Sequence, residues 1–181
     1  MKSGQGGFDL TADDRSWFEP LVRTFEKPAF QFAQMMVQNR AAAEEIVQEA
    51  FARVWASPRT PREPDDFRRW LYRTLINLVR DHHRRQMLES KLRFWDHQPA
   101  DPQEQAIRRS EDHALMAALR CLPLRERQAI YLHYYDEQPF AEIARILQMQ
   151  ETAARVMVHR SLAKLRGRLK GRETMTGEVP A

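Results

Sequence analysis

Between Phe140 and Leu169 the chain reads FAEIARILQMQETAARVMVHRSLAKLRGRL: a short amphipathic stretch, a turn, and a longer stretch in which cations recur. From Glu151 to Arg172 the cations are Arg155, Arg160, Lys164, Arg166, Arg168, Lys170 and Arg172, against the single acid Glu151. At about 100° per residue, Ala154, Val158, Leu162, Leu165 and Leu169 share one helical face, and Ala153, Val156, Met157, Arg160 and Lys164 share the other. One face can pack on a core while the other enters a groove. Arg155, Arg160 and Lys164 are placed to neutralise phosphates, and Glu151, Thr152 and Val156, near the helix start, to meet base edges. This is the pattern of a helix-turn-helix and its recognition helix. Val156 and Met157 on the outward face admit two readings, contact with thymine methyls or contact with a protein.

Two further charged clusters stand apart from it. Arg68, Arg69, Arg73, Arg80, Arg84 and Arg85 are offset between 68 and 85 only by Asp81, whereas Glu44, Glu45 and Glu49 make an acidic patch. The net charge of +4 therefore says less than its distribution, which predicts different partners for different surfaces. Catalytic signatures are missing. The GQGG at residues 4–7 lacks the Lys-Ser/Thr of a phosphate loop, and neither HExxH nor a nucleophile elbow occurs. His82 and His83 diverge as helical neighbours and have no carboxylate or cysteine cluster beside them, so no metal site and no cofactor is expected. Cys121 is the single cysteine, which excludes an internal disulfide framework and a Cys-based zinc cluster. It is read as a small core residue.

The elements that must position these groups are helices. With 43% apolar residues at helical spacing and no useful alternating run, the chain is expected to be all-α. Asp13 or Asp14 is the expected cap of a first helix running to about Glu26, ended by Pro28, which opens a second helix carrying Phe32, Met35 and Met36. A third runs from about Ala41 to Ala56, with Ile46, Val47, Ala50, Phe51, Val54 and Trp55 as its apolar set. Pro58, Pro61 and Pro64 make a stiff charged loop, and a fourth helix follows from about Asp66 to Met87. The polar stretch DHQPADPQEQ, residues 96–105, reads as a linker. Beyond it, a helix over about 111–121 and another from Pro123 to about Tyr135 precede the helix-turn-helix. No apolar run approaches the roughly 18 residues of a membrane span, and the N-terminus lacks a hydrophobic signal segment. A cytoplasmic protein without membrane insertion is expected.

Two separate segments resemble one family. EEIVQEAFARVWA (44–56) and FRRWLYRTLINLVRDHHRR (67–85) are similar to region 2, and residues 119–169 to region 4, of ECF-type (group IV) sigma factors of the sigma-70 family. These are the dissociable promoter-recognition subunits of bacterial RNA polymerase. The resemblance covers most of residues 20–170 in the right order. It implies two small helical domains joined by a flexible linker: region 2 over 1–93, linker 94–110, region 4 over 111–172, and a tail over 173–181. A glycine is common in the family where this chain has Gln148, and Thr152-Ala153 stand where a Gly-Thr pair is usual.

The resemblance also implies roles. The ridge of Glu44, Glu45, Gln48 and Glu49, bordered by Arg53, matches the helix that docks on the polymerase beta-prime clamp, and region 4 the part that meets the beta flap. Trp55 is compatible with that interface or with the core. Arg59 and Arg62 of the proline-rich loop, with Trp70, Asn77, Arg80, His83, Arg84 and Arg85, match the surface that reads the separated minus-ten element. There, cations hold phosphates while aromatic or amide groups meet unstacked bases. Trp70 is equally compatible with a core position. Glu151, Thr152, Arg155, Val156, Arg160 and Lys164 match the minus-35 reader. An anti-sigma factor is an implied partner, and no small-molecule substrate is. Two other readings remain: a dimeric helix-turn-helix regulator, which leaves the 41–85 block unexplained, and a sigma-like decoy that sequesters an anti-sigma protein.

Overall fold

Phe25, Ala29, Phe32, Ala33 and Met36 form one buried stripe that runs straight through Pro28. This stripe settles the first element against expectation. The computed structural model, which describes residues 16–93 and 111–176, has a single helix α1 (Phe18–Val37) where a break at Pro28 was expected. An interior proline costs about 3 kcal/mol. Burying two phenylalanines and a methionine contributes about 1.5–3 kcal/mol for each side chain, so continuity wins. The capping expectation at Asp13 or Asp14 lies outside the described residues; Trp17 precedes the helix without a side-chain cap.

Helix α2 (Arg40–Ala56) follows a tight corner. Gln38 takes a left-handed conformation (φ 60°), and the Asn39 side chain accepts from the Ala42 N–H at 2.9 Å. That capping bond satisfies one of the backbone donors a helix start leaves unpaired. The loop to α3 (Pro64–Arg93) is pinned by the buried Thr60 hydroxyl, which donates to the Val54 carbonyl at 2.8 Å. α3 starts two residues before the expected Asp66 because Pro64 occupies the first turn, where its missing N–H removes no bond. Asp65 and Asp66 then favour the positive helix end.

Helices α4 (Glu111–Arg120), α5 (Leu124–Tyr134), α6 (Phe140–Leu147) and α7 (Glu151–Thr176) form the second half. Among the described residues all regular structure is helical. The expected linker, residues 94–110, lies outside those residues, apart from its function of joining α3 to α4 in sequence. Cys121, read from the sequence as a core residue, is exposed in the turn between α4 and α5. The adjacent Leu122, 3% exposed, takes the inward position instead. Trp55, assigned to the apolar set of α2, is 42% exposed and packs in a tilted arrangement on Phe18, ring centroids 4.9 Å apart.

Three helices pack in each half, with α4 closing the second, and α5 and α6 also lie against α1 and α3. The buried core is continuous across that junction: Phe32 and Tyr72 from the first half enclose Tyr131 from the second, each no more than 1% exposed.

Candidate nucleic-acid and polymerase interface

The short helix α6 crosses to α7 through Gln148, which adopts the left-handed region (φ 53°, ψ 60°) while its N–H returns to the Ala144 carbonyl. Ala154, Val158, Ser161 and Leu165 are buried beneath α7, and Glu151, Thr152, Arg155, Val156 and Arg160 are exposed. Arg155 is held in place: its guanidinium bonds Glu151 at 2.9 Å and lies 5.2 Å from the Phe140 ring. Lys164 differs. Its ammonium donates to both Glu126 oxygens at 2.6 and 2.9 Å, and Ser161 Oγ lies 3.1 Å from the same carboxylate. Lys164 thus fastens α7 to α5, with half of its side chain still exposed.

On α2, Glu44, Glu45, Gln48 and Glu49 project outward as one ridge over buried Ala43, Ile46, Val47 and Ala50. Arg40 pairs with Glu44 at 2.9 Å, and Arg53 with Glu49 at 2.7 Å. Both are exposed i,i+4 pairs, worth only a few tenths of a kcal/mol, so a partner can exchange them cheaply. In the loop, Arg59 and Arg62 are exposed, with Arg62 lying 5.4 Å from the Trp17 ring.

Along α3 the candidates divide. Asn77, Arg80, Arg84 and Arg85 are exposed; Arg80 donates to Asn77 Oδ1 at 2.9 Å and Arg84 pairs with Asp81 at 3.3 Å. Trp70 is partly buried against the core. The His83 ring is half-buried toward α1 and Arg127, and burial pushes its pKa below the ordinary histidine value. It leaves the strip that Arg84 and Arg85 share. Among the described residues, no three histidine, cysteine or carboxylate groups cluster as a metal site would require.

A different set of polar residues joins the two halves, and local spacing pointed to none of it. Arg69 grips Glu142 with two bonds, Nε to Oε1 at 2.6 Å and Nη2 to Oε2 at 3.1 Å. Burial pushes the Glu142 carboxyl up, but the bonds and charges of Arg69 and Arg145 hold it below the usual carboxylate range. Arg73 and Arg125 cap the C-terminal end of α6, donating to the Arg145 and Leu147 carbonyls at 2.6 Å each. Arg127, 8% exposed, bonds the Met35 and Met36 carbonyls at 3.3 and 3.1 Å and reaches the Arg120 and Leu122 carbonyls. The cation sits where the α1 dipole is negative. Tyr131 donates to the Pro28 carbonyl at 2.8 Å, and partly buried Asp136, its pKa raised by desolvation, pairs with Arg68 at 3.9 Å. Arg73, Asn77, Arg80, Arg125, Gln128 and Leu147 line a cleft of about 400 Å³ between the halves.

Comparison with known proteins decides the family. Residues 21–88 match Sigma-70 region 2 and residues 112–165 match Sigma-70, region 4. The ECF RNA polymerase sigma factor SigE of Mycolicibacterium smegmatis is 32% identical over 97% of this chain and 71% of its own length. This chain belongs to the ECF sigma factors.

Other sigma-factor relatives agree. SigW of Bacillus subtilis is 26% identical over 87% of this chain and 91% of its own. The probable sigma factor RfaY of Xanthomonas campestris is 28% identical over 82% of this chain, which spans only 39% of that protein. The fold is shared with the sigma factor RpoE of Bartonella quintana, solved with the anti-sigma factor NepR: TM-score 0.71, 19% identity, 84% of this chain and 96% of that one. CnrH, solved with the cytosolic domain of CnrY, gives a TM-score of 0.63 at 23% identity over 85% and 88%. As an ECF sigma factor the chain is a transcription initiation factor with a helix-turn-helix in region 4. Helices α1–α3 carry region 2 and α4–α7 region 4. Among the described residues no helix is long and apolar enough to cross a membrane.

Proposed function

We propose that each exposed face of this sigma factor has a separate task in initiation. The α2 ridge of Glu44, Glu45, Gln48 and Glu49, with Arg53, docks on the polymerase beta-prime clamp, and region 4 meets the beta flap. Asn77, Arg80, Arg84 and Arg85, with Trp70 and the loop residues Arg59 and Arg62, hold the parted minus-ten strand. His83, half-buried against α1, braces that helix. Glu151, Thr152, Arg155, Val156 and Arg160 read the minus-35 duplex, with Lys164 shared between phosphate and Glu126. Bond making belongs to the polymerase; this chain is not an enzyme and contributes binding energy in the cytoplasm.

What supports this division is one observation: an acidic exposed ridge and two outward basic faces occur on different helices of a chain whose family is established. A dimeric regulator needs no acidic ridge, and a decoy needs neither basic face. Because the RpoE and CnrH structures are complexes with NepR and CnrY, an anti-sigma protein is also proposed as a partner here. Functional units are proposed as 1–93, a linker over 94–110, 111–172, and a tail over 173–181. Reconstituted transcription with bacterial core enzyme on promoter DNA from the same genome tests the reading. Specific initiation is expected only when the chain is added; a folded chain that fails to bind core enzyme would sink it.

A further inference from the structure

Where α3 faces α5 and α6 lies an open cleft of about 400 Å³, a volume within the range of small-molecule sites. Arg73, Arg80 and Arg125 line it, and no acidic side chain does. Two of these cations are already anchored. Arg73 and Arg125 each direct one Nη2 to a carbonyl at the end of α6, at 2.6 Å. Most N–H donors of each guanidinium remain available, and side chains held in this way lose little freedom when an anion arrives. The α6 carbonyls account for Arg73 and Arg125 but not for Gln128. That residue is 4% exposed and lines the cleft, and among the described residues its side-chain amide has no hydrogen-bond partner. A buried amide is costly to leave unbonded, and the cleft is the side from which a partner can come. Ile76, Leu124 and Ile146 give the same cleft an apolar wall. Clustered guanidiniums match a multivalent phosphate. A bare inorganic anion would leave the wall and Gln128 unused, whereas a flat heterocycle with a polar edge uses both.

We propose that this cleft binds a nucleotide, as a ligand and not as a substrate. The phosphates sit on Arg73, Arg80 and Arg125, and the base lies on the Ile76, Leu124 and Ile146 wall with its edge bonded to Gln128. A ligand placed there touches α3, α5 and α6 together, so its binding free energy adds to the stability of the folded chain. The proposal does not depend on which DNA strand α3 meets, because Arg73, Arg125 and Gln128 belong to neither DNA-reading set.

The test titrates the full chain, without polymerase or DNA, with ADP, GDP, CDP and UDP by isothermal titration calorimetry. At least one of them is expected to bind at a single saturable site and to raise the melting temperature. Arg73→Gln and Arg125→Gln should each weaken that binding about tenfold, the scale of one charge-assisted pair. Both residues also cap α6, so Gln128→Leu is the decisive variant. With the unpartnered amide gone, the melting temperature without nucleotide should hold, while affinity falls about tenfold. Arg166→Gln, at an exposed position on α7, removes the same charge as the cleft variants and should leave affinity unchanged. Circular dichroism checks the fold of each variant. Absence of saturable binding by all four nucleotides at millimolar concentration overturns the proposal. So does a loss in Arg166→Gln equal to that in Arg73→Gln, which marks diffuse attraction between charges, or a Gln128→Leu chain that binds as the parent does. Inorganic pyrophosphate binding as tightly as the best nucleotide would reduce the cleft to an anion site and overturn the nucleotide assignment.

Discussion

Helices α3 and α7 are both rich in arginine, yet their cations have different fates. On α7, Arg155 and Arg160 point away from the core, and Arg155 is steadied by a neighbour on its own helix. On α3 the first arginines turn toward the other half, where Arg69 meets Glu142 and Arg73 meets the end of α6. Arg80, Arg84 and Arg85, farther along, are exposed and make no bond to the other half among the described residues. A basic run is thus one thing in sequence and two in space. What separates them is the surface opposite each side chain: α6 supplies a carboxylate and helix-end carbonyls, whereas α7 looks onto solvent.

The most severe way to break this comparison is to remove the inward cation whose bonds, among the described residues, all go to backbone carbonyls. Arg127→Met keeps much of the side-chain volume but leaves carbonyls at the ends of α1 and α4 without their donor. Loss of a buried charged donor of this kind is expected to lower unfolding stability by about 3 kcal/mol, measured by urea denaturation. Arg85→Met, at an exposed position, should stay within about 0.5 kcal/mol. Equal losses would show that inward and outward arginines do not differ as their surroundings indicate.

A smaller contrast lies within α7. Arg160→Ala should reduce the slope of log affinity against log salt for minus-35 duplex by about one, with little change in stability. Lys164→Ala should change the slope less and destabilise the fold by about 1 kcal/mol, because it leaves Glu126 beside Ser161 without its cation. Titrations at several salt concentrations, paired with thermal melts, separate the two. A matching pair of profiles would remove the distinction between a fastening lysine and a phosphate-reading arginine.

These contrasts mark how far the sequence could be read. The helices and the two faces of α7 were legible because a 3.6-residue period depends on neighbours three and four positions away. The exposed α2 ridge followed from the same rule. The continuity of α1 did not, since Pro28 is a local signal and the stripe from Phe25 to Met36 gains its energy only once α2, α3 and α5 cover it. The junction was equally hidden: Arg69 and Glu142 are 73 positions apart, and Arg127 meets a carbonyl 91 positions away. The only hint was that the 68–85 block holds more arginines than one strand-binding face needs. Cys121 shows the converse error, where residue type suggested burial and a turn overrode it.

Gln148 offers a milder perturbation, at the point where this chain departs from its family. Its φ of 53° is the left-handed region, which costs a side chain with a Cβ about 1 kcal/mol relative to glycine. Gln148→Gly should therefore stabilise the chain, less the added freedom of the unfolded state, by about 0.5 kcal/mol in thermal melts. Its carbonyl, which Arg125 approaches at 3.4 Å, is retained. A loss of stability would mean that the Gln148 side chain contributes more from the cleft wall than its backbone costs.

The smallest expected effect concerns pH, because titratable groups at the junction oppose one another. Burial lowers the His83 pKa, with His82 and Arg127 adding like charge and the Met36 backbone resisting. A base whose folded pKa is depressed contributes stability that is complete above the ordinary value of about 6.5 and is lost as pH falls toward the folded one. Asp136, raised by burial against Tyr72 and Arg68, acts the other way, favouring the folded form as pH falls toward its ordinary range. Glu142, depressed, loses its contribution only at still lower pH. Melting temperature should consequently stay level from pH 8 to about 7, drop modestly as pH falls below about 6.5, and flatten as Asp136 takes up a proton. His83→Gln should abolish the first slope, and Asp136→Asn should steepen what remains below it. A slope that survives His83→Gln would move the neutral-range titration away from the α1–α3 junction and weaken the contrast between the inward and outward sides of α3.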